Sequence, residues 1–158
     1  YPNTLTLAEI VSRSTDGQPE PAEGRIARAI LTVLLAGRAS VSALPVQVGR
    51  ADAQTPRAWA VCRVEAGSSQ PWVTTLLHTA VPATPILRLL LPRLDGTNDR
   101  ASLLARLAAA LRAGAVTVPE LPPGEPPAPE QRLQDLAERY FVDMLRYLEC
   151  NALLEPDS

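Results

Sequence analysis

Residues 89–107, LLLPRLDGTNDRASLLARL, limit what this chain can fold into more than any other stretch. The leucines favour a helix, but Pro92 and the pair Asp95-Gly96 forbid a single one, because proline removes a backbone donor and Asp-Gly is a turn sequence. Two helices joined by a tight bend follow, with both sets of leucines turned toward a shared interior. Thr84 and Pro85 are read as the N-cap and first position of the first helix, which carries Ile86, Leu87, Leu89, Leu90 and Leu91. Leu94-Asp95-Gly96 closes it, and Thr97 or Asn98 caps the second helix. That helix shows one apolar stripe, Leu103, Leu104, Leu107, Ala108 and Leu111, ending near Gly114. Asp95, Gly96 and Thr97 are thus read as a structural turn, and turn chemistry with helix N-terminal charge accounts for Asp95 and Asp99 without catalysis.

A bent helix pair of this kind either reads DNA or packs. Net charge is -2, all 15 basic residues are Arg, and none is Lys. A nucleic-acid binder needs a basic face that neutralises phosphates. Along residues 99–113 the basic positions are Arg100, Arg106 and Arg112, spaced six apart and so not on one helix face. Packing is therefore the expectation. The Lys-free usage, rich in Ala, Leu, Pro and Arg, is that of a GC-rich genome and speaks of codons.

Thr6-x-x-Glu9 forms a capping box that opens a short helix running to about Ser12, and the loop TDGQPEPAEG follows. Ile26, Ile30, Val33 and Leu34 make one face of an amphipathic helix over 22–36, with Arg25, Arg28 and Thr32 opposite and Gly37 as its stop. SVSALPVQV alternates around Pro45 and reads as an edge strand. A second unit begins after Gly49, which divides the chain into 1–50 and 51–158. TPRAWAVCRVEAG is expected to be a helix from Pro56 to Ala66, residues 72–81 one strand or two short ones, and AVTV a short strand. Residues 119–130 hold six prolines and form an extended surface loop. The last helix, 129–151, has an apolar seam of Leu133, Leu136, Ala137, Tyr140, Met144, Tyr147 and Leu148. Opposite runs a polar stripe of mixed sign that includes an Asp135–Arg139 pair.

The chemistry-bearing residues are sparse. The 8 glycines never come closer than seven positions apart, so no G-x-G-x-x-G loop exists, and a chain without Lys has no P-loop. His78 is the only histidine, which excludes H-E-x-x-H and multi-histidine metal sites. It is read as a half-buried strand residue bonded to a backbone carbonyl, or else as a partner contact; a hydrolase using His78 as base is the remote alternative. Trp59 and Trp72 are either core residues or anchors on a partner surface. Cys62 and Cys150 are expected to be two buried, reduced thiols. No apolar run reaches half of the roughly 20 residues a bilayer requires, and no signal peptide opens the chain, so no membrane partner and a cytoplasmic location are expected; the balance and spacing of the Arg residues likewise make nucleic acid no expected partner. The only Met is Met144, and a chain opening at Tyr1-Pro2 is expected to be a fragment of something longer.

At PWVTTLLHTAVPATPILRLLLPRLDGTNDRASLLARL the chain resembles the C-terminal part of bacterial class I S-adenosylmethionine (SAM)-dependent methyltransferases that carry a methyltransferase regulatory domain, including protein-lysine methyltransferases. Those proteins show VTNLRHE, matched here at Val73, Thr74, Leu76 and His78 but not at Thr75, Leu77 and Thr79. They then show LLPLLDGTRDRAALL, matched at Leu90, Leu91, Leu94, Asp95, Gly96, Thr97, Asp99, Arg100, Ala101, Leu103 and Leu104. YPNTLTLAEIVSRS and LLAGRASVSALPVQV are similar to the family's middle segment. The resemblance implies an α+β, mostly helical fold of two winged-helix-like units with short strands. It also implies a non-catalytic regulatory or substrate-presenting role beside a methyltransferase domain that holds SAM, with no cofactor in this chain. The partners it implies are that catalytic domain on the same polypeptide, a protein substrate, or a second copy. A winged-helix DNA-binding regulator, with 99–113 as recognition helix, is the alternative.

Overall fold

The computed structural model describes residues 4–14, 22–39, 41, 46–121 and 129–156. The chain separates into two compact units, Asn3–Gln47 and Val48–Ser158.

In the first unit, helix α1 (Leu7–Ser14) starts in the capping box: the Glu9 amide donates to Thr6 Oγ1 at 3.2 Å, and the Thr6 amide donates back to Glu9 Oε2 at 2.7 Å. Helix α2 (Ala22–Leu35) ends with Gly37 at φ +66°, the Gly37 amide on the Leu34 carbonyl and the Arg38 amide on that of Val33. Those two bonds satisfy carbonyls that the helix end leaves open. Ile10 on α1 and Ile26, Ile30 and Leu34 on α2 are half-buried; Val33, expected on the same face, is exposed. Thr4 is bonded to both backbone groups of Val46. The edge strand expected over 40–48 lies largely outside the described residues; Val46 to Val48 are described and form no strand.

In the second unit the order is α3 (Ala60–Ala66), β1 (Trp72–Thr74), β2 (Ala80–Pro82), α4 (Pro85–Leu90), a 3-10 turn (Leu91–Arg93), α5 (Arg100–Arg112) and α6 (Glu130–Cys150). It is mostly helical, with one two-stranded antiparallel sheet among the described residues. Leucines from both sides of the bend, Leu90, Leu91, Leu94, Leu103 and Leu107, are at most 1% exposed. Helices α5 and α6 run antiparallel, since Arg112 at the end of α5 pairs with Glu130 at the start of α6 and Arg100 lies over Phe141.

Segment 57–59 is extended and clamped between two others, which is why α3 starts at Ala60 and not at Pro56. The Ala58 amide donates to Leu94 O at 2.7 Å, the Trp59 amide to Leu153 O at 3.1 Å, and the Glu155 amide to Arg57 O at 2.8 Å. Gly49 donates to Leu154 O at 3.1 Å, closing the same seam from its other side.

Other expectations are corrected. The cap of α5 is Asp99, whose Oδ1 accepts the Ser102 amide at 2.8 Å, because Thr97 is already bound by Asp95 and Asn98 reaches back to the Arg93 carbonyl. AVTV forms no strand; Val116 and Val118 are buried by themselves, and Val118 bridges only to Leu121. On α6 the buried seam takes in Phe141 and Leu145, while Tyr147 is exposed and Tyr140 half-buried. Arg139 does not pair with Asp135: it is drawn to Glu120, which also accepts the Tyr140 hydroxyl at 2.7 Å, and Asp135 accepts from Gln131. Most of the proline-rich loop, 122–128, lies outside the described residues.

Candidate functional site

The hairpin is built by three cross-strand pairs, Trp72 with Pro82, Val73 with Val81 and Thr74 with Ala80. Val73 and Val81 point into the core, so Trp72, Thr74 and their partners form the other face. The connection, 75–79, is organised by Thr75, the one buried polar residue among those described. Its amide donates to Thr79 O at 2.8 Å, its hydroxyl meets the Thr79 hydroxyl at 2.8 Å, and its carbonyl accepts the His78 amide at 3.0 Å.

His78 itself sits at φ +55° and is exposed. This corrects its reading as a half-buried strand residue: β1 ends at Thr74, and the turn forces the histidine out. The Leu76 amide donates to Ala152 O at 3.2 Å, which pins the tip to the clamped segment that begins at residue 152.

Helix α3 flanks the hairpin. Both oxygens of Glu65 accept from Thr74, from its amide and from its hydroxyl at 2.9 Å. Val61 and Val64 on the outer side of α3 are 62% and 74% exposed, Trp72 52%, and Leu76 and Leu77 about a third. Between Ala66 and Leu87 the sequence has no Asp, Glu, Lys or Arg. Arg88, just past that run, spends its guanidinium on the carbonyls of Ala83, Ser68 and Gln70. The hairpin and its flanks, 67–86, thus carry no Asp, Glu, Lys or Arg and expose several apolar side chains, while α3 beside them carries Arg63 and Glu65.

Trp72 and His78 therefore share one element. Trp59 does not join them: it is half-buried at the start of α3, with its backbone on Leu153 and its indole Nε1 enclosed without a partner among the described residues. The Asp95 turn is separate again. Asp95 Oδ1 accepts the Thr97 amide at 2.9 Å and hydroxyl at 2.6 Å, and these bonds hold its carboxyl below the usual range, while Gly96 adopts φ +84°. Sequence reasoning does not single out Val61, Val64, Leu76 and Leu77. The absent charge in 66–87 is the signal that could have found them.

Among the described residues no three His, Cys, Asp or Glu side chains converge as metal ligands would. Cys62 is buried, its thiol donating to Trp59 O at 2.9 Å and pushed up to about 11 by desolvation. Cys150 is exposed, contrary to expectation, because the end of α6 turns it away from the seam that buries Leu148. On α5, Arg100 lies 5.4 Å from the Phe141 ring centroid and donates to Ala51 O, and Arg112 is paired with Glu130. Arg106 alone of the three is exposed with no ionic or hydrogen-bond partner among the described residues.

Helices packed on a two-stranded antiparallel hairpin make this a winged-helix α+β domain, with the hairpin as wing. Residues 54–153 match the family model described as the PKMT C-terminal winged helix domain, and the chain belongs to that family. Two similar solved structures are those of PKMT2 from Rickettsia typhi. The first shares 13% identity at a TM-score of 0.78, covering 96% of this chain and 31% of that one. The second, in complex with AdoHcy, shares 14% identity at a TM-score of 0.79, covering 97% and 31%. The chain thus spans about a third of the length of the solved proteins it matches. No curated protein matches it.

Proposed function

We propose that this chain is a non-catalytic module of a SAM-dependent methyltransferase of the protein-lysine class, regulating the catalytic domain or presenting its protein substrate. The observation that carries the reading is the match over 54–153 to a domain that belongs to PKMT proteins and is named for its C-terminal place in them. The chain's own chemistry agrees. Its glycines are too scattered for the strand–turn–helix cradle of an adenosyl donor, so SAM would be held by a separate domain of the same polypeptide in the cytoplasm. The module would work by protein contact, for which it has an uncharged apolar wing.

Turnover and substrate KM of the parent enzyme, with and without this region, test the proposal; unchanged values remove the regulatory and presenting roles. The competing reading, a DNA-binding regulator, requires a cationic ridge, and α5 leaves only Arg106 uncommitted. A salt-sensitive shift of duplex DNA by the chain at low ionic strength would favour that reading instead.

A further inference from the structure

We infer that the chain pivots at Gln47, and that Leu154 and Glu155 form the latch that confines the pivot to that one position. The device belongs to the chain alone and does not depend on the methyltransferase reading. Three observations lead to it.

The first is that both neighbours of Gln47 are fixed, each within its own unit. The division between the compact units falls between Gln47 and Val48. On the first-unit side the Val46 amide donates to Thr4 Oγ1 at 2.7 Å, and the Val46 carbonyl accepts the Thr4 amide at 3.2 Å. On the second-unit side Val48 is 7% exposed, and Gly49 is buried with its amide on Leu154 O at 3.1 Å. Gln47 between them is exposed and makes no hydrogen bond among the described residues. What remains free at the junction is the backbone of one residue, with its two soft dihedrals.

The second is what holds Gly49. A Cβ there would stand 2.0 Å from Glu155 O and 3.0 Å from Leu154 Cβ, so only a glycine lets the entering chain lie this close against 154–155. Glu155 is itself secured. Its amide donates to Arg57 O at 2.8 Å, and its carboxylate meets Arg57 Nε at 2.8 Å with the Glu155 side chain 19% exposed.

The third is that the fastening is graded. Leu153 and Leu154 are at most 1% exposed and belong to the core, whereas Glu155 lies at its margin and rests on one ion pair and one backbone bond. The outermost contact of such a seam opens before the interior does. Drawing Glu155 away uncovers Gly49 and lengthens the pivot from Gln47 to 47–50. The next hold is Ala51, whose carbonyl accepts from Arg100. A partner or protease that grips the chain at 154–156 therefore changes how freely the junction turns.

Nitrogen-15 relaxation and amide exchange on the 158-residue chain test this. Gln47 is expected to show a backbone order parameter below about 0.6, with Val46, Val48 and Gly49 near about 0.85, and α2 and α5 to report different tumbling times. In Glu155→Lys, which sets a second cation beside Arg57, Val48 and Gly49 should fall below about 0.6 and the Gly49 amide should exchange at least about tenfold faster. Glu155→Gln should shift them the same way and less, and the charge swap Arg57→Glu with Glu155→Arg should restore them. The Ala58 amide, bonded to Leu94 O and not to the latch, and the amides of α5 should keep their protection throughout, which shows that the unit stays folded. Uniform order across 46–49 in the parent chain overturns the pivot, and so does uniformly low order there. A Gly49 amide unmoved by Glu155→Lys, or exchange that rises at Ala58 and α5 together with Gly49, overturns the latch.

Discussion

Gly49→Ala should destabilise the second unit more than any other single methyl addition at a described glycine. A Cβ at Gly49 would stand 2.0 Å from the Glu155 carbonyl oxygen, 2.8 Å from its carbon and 3.0 Å from Leu154 Cβ. All three are closer than ordinary contact, and two are backbone atoms with no rotamer to retreat into. The segment must move outward by more than an ångström. It is held by the amides of Gly49 on Leu154 O, Trp59 on Leu153 O and Glu155 on Arg57 O, and Ala152, Leu153 and Leu154 are at most 1% exposed.

Overpacking of this kind costs about 1–3 kcal/mol, and two stretched or broken hydrogen bonds add about 1 kcal/mol each. The lower entropy of an unfolded chain with Ala in place of Gly offsets about 0.4–1 kcal/mol. The net loss is about 3 kcal/mol. For a unit of this size that corresponds to a fall in the unfolding midpoint of about 12 °C, at roughly 4 °C per kcal/mol. Differential scanning calorimetry of Gly49→Ala beside Gly67→Ala supplies the check, since a Cβ at Gly67 meets nothing nearer than 3.5 Å. A Gly49→Ala midpoint within about 2 °C of the parent would refute the close approach.

Further expectations concern other parts of the chain. Gly24 lies inside α2 with nothing within 4 Å of an added methyl, so Gly24→Ala should stabilise the first unit by about 0.5–1 kcal/mol, read as increased protection of α2 amides in hydrogen exchange. A thiol reagent at pH 8 should modify one cysteine per native chain, Cys150, and two after denaturation, because the Cys62 thiol is enclosed and pushed up to about 11; two fast-reacting native thiols would contradict its burial. Asp95, Asp99 and Glu120 all have their carboxyls held below the usual range by hydrogen bonds from Thr97, Ser102 and Tyr140 respectively. A depressed carboxyl contributes stability above its unfolded pKa and loses it as pH falls through the folded one, so the unfolding midpoint should be level above about pH 5 and drop below about pH 4. Asp99→Asn together with Glu120→Gln should flatten that drop, and an unaltered profile would remove these two groups from the account.

Local signals in the sequence locate most of the second unit, and tertiary competition explains where they fail. Thr84-Pro85 starts α4 because the cap and the proline need only the next turn, and the Thr84 hydroxyl does accept the Leu87 amide. The bend at Asp95-Gly96 is equally self-contained. Local signals place the start of α3 too early because Pro56 is a good helix opener only when no other segment competes for Arg57 and Ala58, and residues 94 and 153–155 do compete. The cap of α5 shifts to Asp99 for a similar reason: the Asp95 carboxylate takes Thr97 first. On α6, counting the tyrosines into the seam follows hydrophobicity, whereas the pull of Glu120 on Tyr140 is a contact across the chain. The wing is legible as β-prone but its outward face is not, since exposure of Trp72, Leu76 and Leu77 depends on which valines win the inner side.

The clamp that joins residues 49, 57–59 and 76 to 152–155 has a consequence for how the polypeptide matures. Leu153 and Leu154 fill the middle of a domain whose first contacts with them lie about a hundred positions upstream. During translation the leucine helices can form early, yet the interior stays open to water until position 155 has left the ribosome. A nascent chain stalled or clipped just short of that point exposes its unfinished interior to chaperones and proteases, so emergence of these few residues and closure of the fold are one event.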